Sequence, residues 1–154
     1  IYADSKLKGE LAVKRILRKY FILRTGWLYG KHGKNFVDTI IAKAKSEKVL
    51  KIVDDQAGSP TYTKDLAKAI HALIDKATGY GIYHISNSGS VSWFDYAKEI
   101  LKLAKSQTRV VPISSEELDR PAKRPRMSAL DNSKFVKFTG HKMRNWQEAL
   151  KEYI

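Results

Sequence analysis

Apolar residues along this chain switch repeatedly between two spacings, and that switching limits the possible folds more than any other feature. Residues 5 to 19 carry Leu7, Leu11, Ala12, Ile16 and Leu17 at helical spacing, with Lys and Arg on the other face. Tyr20 to Thr25 is then a short run of aromatic and β-branched residues, which reads as a buried strand. The exchange recurs. Asn35 is placed to cap a helix through Phe36, Ile40, Ile41 and Ala44, and Val49 to Val53 reads as a strand. Gln56 to Thr61 has loop chemistry throughout, and Thr63 is placed to cap a helix from Lys64 to Lys76. Ile82 to Ser86 follows as a strand, and Ser92 with Asp95 forms a capping box for a helix through Ala97, Ile100, Leu101 and Ala104. Val110 to Ile113 is extended, Ser115 to Leu118 fits one helical turn, and Pro121 to Ser128 reads as a loop. Two short helices, Asn132 to Phe138 and Asn145 to Tyr153, complete the pattern, the second with Trp146 and Leu150 inward. Helices alternating with strands predict an α/β fold with a mainly parallel sheet.

Composition removes several classes of function. A chain of 154 residues suits one domain with a respectable core, and 43% hydrophobic with 29% charged residues argues against disorder. No apolar run approaches the roughly 20 residues of a membrane span. The absence of Cys excludes disulfides, thiolate metal sites and cysteine nucleophiles, and is compatible with a cytoplasmic location. The four His, at 32, 71, 84 and 141, lack metal-ligand spacing. The net charge of +13 has two readings, attraction to polyanions or phosphates and ordinary solvated helix faces. Most Lys residues are scattered through amphipathic stretches, which fits the second reading, and the dense cluster runs from Arg120 to Arg126. A nucleic-acid-binding role predicts affinity that falls steeply with salt. No helix-turn-helix, RNA-recognition or zinc-finger pattern supports that role.

One short stretch carries chemistry. Tyr2 and Lys6 stand four residues apart, so on a helix both project from one face. An ammonium beside a phenol favours the phenolate, and such a phenol can exchange a proton with a substrate oxygen. On spacing alone the pair is equally a solvated lysine near a helix start. The chain also opens on this helix without a preceding strand or cap, and no strand-to-helix turn matches G-x-G-x-x-G. These features lead us to expect the second half of a larger fold.

Motifs over nearly the whole chain then converge. Tyr2-x-x-Ser5-Lys6-Leu7-x-Gly9-Glu10 resembles the active-site helix of extended short-chain dehydrogenases/reductases. The runs from Leu23 to Gly30, Gly33 to Val37 and Asp55 to Thr61, with Arg124-Pro125-x-x-Ser128-x-Leu130-Asp131, resemble one branch, the dTDP-4-dehydrorhamnose reductases. The resemblance implies the C-terminal part of a Rossmann-like doubly wound parallel sheet plus a small α/β substrate-binding subdomain. Residues 1–154 would then be the C-terminal half of a reductase, with the two parts interleaved and the N-terminal nucleotide-binding half absent. It also implies hydride transfer from NADPH or NADH to the 4-keto group of a dTDP-sugar. Tyr2 would be the acid and Lys6 its partner, which also binds the nicotinamide ribose.

By the same resemblance, Tyr2, Lys6, Thr25 and Gly26 would contact the cofactor, while Trp27, Asn35 and Arg124 would bind the nucleotide sugar. Each has a plainer reading: a core ring for Trp27, a turn for Gly26, a helix cap for Asn35. Gln56, Pro60 and Thr61 match the pattern but read as loop-shaping residues, and Lys123 and Arg126 as general attraction. Trp93 and Trp146 are assigned to the core. The family's upstream Ser or Thr and its glycine fingerprint have no counterpart here, so this chain alone is expected to show negligible NADPH oxidation with the keto sugar. The expected partners are a nucleotide-sugar substrate and, for the polypeptide, a second copy or the missing half; no membrane or metal is expected. The alternatives are a regulatory protein resembling the non-catalytic subunit of methionine adenosyltransferase, or an epimerase or dehydratase on the same fold. The Arg24-Thr25-Gly26-Trp27 run argues against the last pair.

Overall fold

The computed structural model describes residues 1–118 and 121–154. Arg120, the first cation of the basic cluster, lies outside the described residues. In chain order the elements are α1 (Tyr2–Ile16), β1 (Phe21–Arg24), β2 (Leu28–Tyr29), α2 (Phe36–Ala44), β3 (Val49–Val53), β4 (Ala57–Gly58) and β5 (Thr61–Tyr62). They continue with α3 (Thr63–Ile74), β6 (Gly81–His84), β7 (Val91–Ser92), α4 (Trp93–Leu103), β8 (Arg109–Ile113), α5 (Ser133–Thr139) and α6 (Trp146–Tyr153). The strands join in pairs: β1 with β6, β2 with β5 and β3 with β8 run parallel, and β4 with β7 antiparallel. Each parallel pair is bridged by at least one helix, as parallel connection requires. The alternation read from the sequence therefore gives the α/β, mainly parallel architecture expected.

Two cores form. Around β3, Val37 and Ile40 of α2, Ala97 and Ile100 of α4, and Trp146 and Leu150 of α6 pack with Leu50. Around β6, Ala69 and Leu73 of α3 pack with Tyr83, Ile85, Phe135 and Met143. Trp146 is 6% exposed, in the core position its spacing predicts. The helices start where capping side chains sit: Asn35 Oδ1 accepts from Asp38 N at 3.0 Å and Ser92 Oγ from Asp95 N at 3.1 Å. Asn145 Oδ1 accepts from Gln147 N at 2.9 Å. α5 ends on Gly140, whose φ of 75° is the left-handed conformation that closes helices.

Two local expectations fail. The segment from Gln56 to Thr61 is not loop throughout, because β4 and β5 lie in it and pair with β7 and β2. Loop-forming residues give way there to tertiary hydrogen bonding. Thr63 does not cap α3; it is the first helical residue, and Tyr62 takes the cap position without a side-chain bond. Residues 115–118 form a single turn, held by Ser115 N and Oγ donating to Asp55.

A polar network ties the two cores. Asp65, 6% exposed, accepts from Asn87 Nδ2 and Arg144 Nε, both at 2.8 Å, and Asn87 Oδ1 accepts from Tyr62 N at 2.8 Å. Arg144 and Lys64 both pair with Glu152 on α6. α1 is different in kind. None of its residues is buried, and its apolar stripe of Leu7, Leu11 and Ile16 meets solvent. What ties it to the rest is Glu10, which accepts from Arg24 Nε at 2.8 Å and from Arg24 Nη2 at 2.6 Å. That pairing holds the Glu10 carboxyl below its ordinary range.

Candidate functional site

The end of β1 hands the chain to Thr25, Gly26 and Trp27, and Trp27 departs from ordinary geometry. Its φ is 50°, a conformation that bulky L residues avoid, so the surrounding contacts must hold it there. Trp27 O accepts from Thr61 N at 3.1 Å. Its indole lies on that of Trp93, centroids 3.4 Å apart and planes 8° from parallel. Gly58 lies against the same indole, where an added Cβ would come within 2.7 Å of Trp27 Cζ2 and of Ser128 Oγ. The space at Gly58 admits the indole.

Trp27 lines a cavity of about 530 Å³. Tyr29, Phe36, Trp93 and Tyr96 add aromatic walls, while Lys34, Asn35 and Arg124 supply the polar groups. Burial pushes the Tyr29 and Tyr96 phenols well above their ordinary range, so both rings stay neutral. Their hydroxyls have no hydrogen-bond partner among the described residues. Arg124 is exposed, and its segment is fixed beyond it. Ala57 N donates to Arg126 O at 2.7 Å, and Ser128 N donates to Ala57 O at 2.8 Å. Aromatic faces beside a guanidinium and an ammonium suit a ligand with flat or ring-shaped parts joined to phosphates. A larger groove of about 830 Å³ runs along the outside of α4, but its Lys98 and Lys102 are paired with Asp95 and Glu99. It contains none of the catalytic, cofactor or substrate residues expected from the sequence.

Three of the expected binding residues, Trp27, Asn35 and Arg124, thus share one cavity although they are up to 97 positions apart (124 − 27). Asn35 performs its capping role, and its amide is committed: Nδ2 donates to Asp38 Oδ2 at 2.7 Å and lies 3.1 Å from Gly30 O. Gln56, Pro60 and Thr61 shape the loop. Gln56 O accepts from Trp93 N at 3.3 Å, and Pro60 and Thr61 are buried.

Tyr2 and Lys6 share a face of α1 as their spacing demands, with Lys6 Nζ 5.6 Å from the Tyr2 ring centroid. Tyr2 is 76% exposed, and neither residue lines the cavity. Thr25 and Gly26 connect the end of β1 to Trp27 of the cavity wall. Thr25 Oγ1 is buried with no hydrogen-bond partner among the described residues, an unmet polar group of the kind a ligand satisfies. An added Cβ at Gly26 would meet nothing within 4 Å, so ligand access there is open. An unmet hydroxyl beside open space leaves this position able to meet a polar group of a ligand.

Trp93 is the site residue that the sequence reading missed. It is half-buried against the core but also walls the cavity, which corrects its assignment to the core alone. The available signal was its position directly after the Ser92 cap, because a first-turn residue lies at the end of the helix face. Among the described residues, no helix is long and apolar enough to cross a membrane.

The RmlD substrate binding domain model matches residues 1–154. The chain is 40% identical to the spore coat polysaccharide biosynthesis protein SpsK of Bacillus subtilis (strain 168), over all of this chain and 53% of that protein. It is 40% identical to a dTDP-4-dehydrorhamnose reductase of Streptomyces griseus, over 99% of this chain and 52% of that one. The crystal structure of the dTDP-4-dehydrorhamnose reductase of Bacillus anthracis str. Ames in complex with NADP superposes with a TM-score of 0.94 at 44% identity. That match covers 99% of this chain and 54% of the crystallised one. The chain spans about half the length of the relatives it matches.

Proposed function

The chain belongs to the RmlD substrate binding domain family, and we propose that it supplies the nucleotide-sugar-binding half of an NAD(P)H-dependent reductase. That reductase converts the 4-keto group of dTDP-4-dehydro-L-rhamnose to the alcohol of dTDP-L-rhamnose. The observation that carries the reading is the gathering of Trp27, Asn35 and Arg124 around one aromatic cavity. Trp27 packs against the sugar. Arg124 and Lys34 face the diphosphate, where a guanidinium fork matches phosphate oxygens. Asn35 fixes the start of α2 beside the cavity.

Tyr2 gives its proton to the sugar oxygen as negative charge develops on it, with Lys6 beside its ring. The nicotinamide cofactor supplies the hydride. Thr25 and Gly26 border its place, through the unpartnered Thr25 hydroxyl and the open space at Gly26. The NADP in the Bacillus anthracis relative supports this choice of cofactor.

Calorimetric titration of the chain with dTDP-L-rhamnose tests the binding half of the proposal. Saturable binding is expected, and Arg124→Ala should weaken it by about tenfold or more, the weight of a hydrogen bond to a charged group. No saturable binding, or an Arg124→Ala variant that binds unchanged, would rule the reading out.

A further inference from the structure

We propose that Trp93 is a substrate-positioning residue, which holds the Trp27 indole in the orientation that meets the sugar; this rests on the nucleotide-sugar reading of the cavity. Trp27 needs such a support. Its φ of 50° is not one that a Trp backbone selects for itself, so the direction of its ring depends on what the ring touches. What it touches most closely is Trp93, in near-parallel contact at 3.4 Å.

Trp93 is itself anchored. Ser92 Oγ accepts from Asp95 N at 3.1 Å and lies 2.7 Å from Asp54 Oδ1, which pins the start of α4 to the end of β3. Trp93 N donates to Gln56 O at 3.3 Å, and Phe36 lies against the ring with centroids 4.5 Å apart. The β4–β7 pairing fixes Ser92 opposite Ala57, one residue from the Gly58 that admits the Trp27 indole. One short stretch therefore sets the position of both rings. Trp146, by contrast, is 6% exposed and absent from this cavity. Trp93 instead shares the cavity wall with Trp27 and Arg124.

A support for the sugar-facing ring acts on the sugar and not on the nucleotide, and this separates positioning from scaffolding. The test titrates the chain and its variants with dTDP-L-rhamnose and with dTDP, by calorimetry and tryptophan fluorescence. Trp93→Ala and Trp93→Leu are both made, the second keeping more apolar volume without a ring face. The comparison uses whichever retains the helical circular dichroism of the unsubstituted chain. The expected result is a loss of about tenfold for dTDP-L-rhamnose, with dTDP changed by less than about twofold, and recovery to within about threefold in Trp93→Phe. Adding Trp27→Ala to the Trp93 variant should cost little more than Trp27→Ala alone, because the two rings act as one unit. Equal losses for both ligands, or none, would overturn the proposal. Failure of the unsubstituted chain to bind either ligand would instead overturn the nucleotide-sugar reading, and this inference with it.

Discussion

Trp27 concentrates the residue-scale physics of this protein. Its strained backbone is held by the hydrogen bond from Thr61 N, by the Trp93 face and by the gap at Gly58. Gly58 owes its place to space and not to a left-handed φ, so even the smallest added side chain is costly. Gly58→Ala should destabilise the fold by about 1 to 3 kcal/mol, the usual cost of overpacking, and shift tryptophan fluorescence as the indole moves. Thermal unfolding followed by fluorescence measures both effects. Arg144 makes a second case. Its removal leaves the nearly buried Asp65 with Asn87 as its remaining side-chain partner, so Arg144→Ala should cost about 2 to 3 kcal/mol. That is less than for a fully buried pair, because Arg144 is partly exposed. Denaturant unfolding would show whether the loss is that large.

At the scale of elements, α1 contrasts with the rest. A helix that buries none of its residues draws little from packing and relies on its own turns and the Glu10–Arg24 clasp. Its amides should exchange hydrogen much faster than those of α4 or α6, and Arg24→Ala should raise the α1 rates further while leaving α4 unchanged. Exchange measured by mass spectrometry would decide this. α1 begins and ends about three residues before the 5 to 19 read from its apolar spacing, whereas β3, α4 and α6 were legible in the sequence because periodic runs and capping residues act locally. The clasp was not, since nothing in the spacing pairs Glu10 with a residue 14 positions on. β4 and β5 were hidden for the same reason: Ala57 and Gly58 are weak strand formers, β5 is two residues long, and both become strands only because β7 and β2 lie beside them. The grouping of Trp27, Asn35 and Arg124 was read from resemblance, and Trp93 escaped because an aromatic at a helix start looks the same whether it faces a core or a cavity.

Over the whole molecule, carboxylates set the acid limit. Glu152 is held down at about 2 by hydrogen bonds from Lys64 and Arg144, and Glu10, Asp55 and Asp131 are also lowered, by Arg24, Ser115 and Ser133. A carboxyl lowered in the folded state stabilises it fully above the unfolded value of about 4, and that stability is lost as pH falls through the folded value. Stability should therefore be level from neutrality to about pH 5 and fall steadily towards pH 2, which thermal melts across that range would register. The walls proposed to grip the sugar draw on a core to which the helix carrying the proposed proton donor adds nothing, so recognition and proton delivery are built from separate parts of this chain.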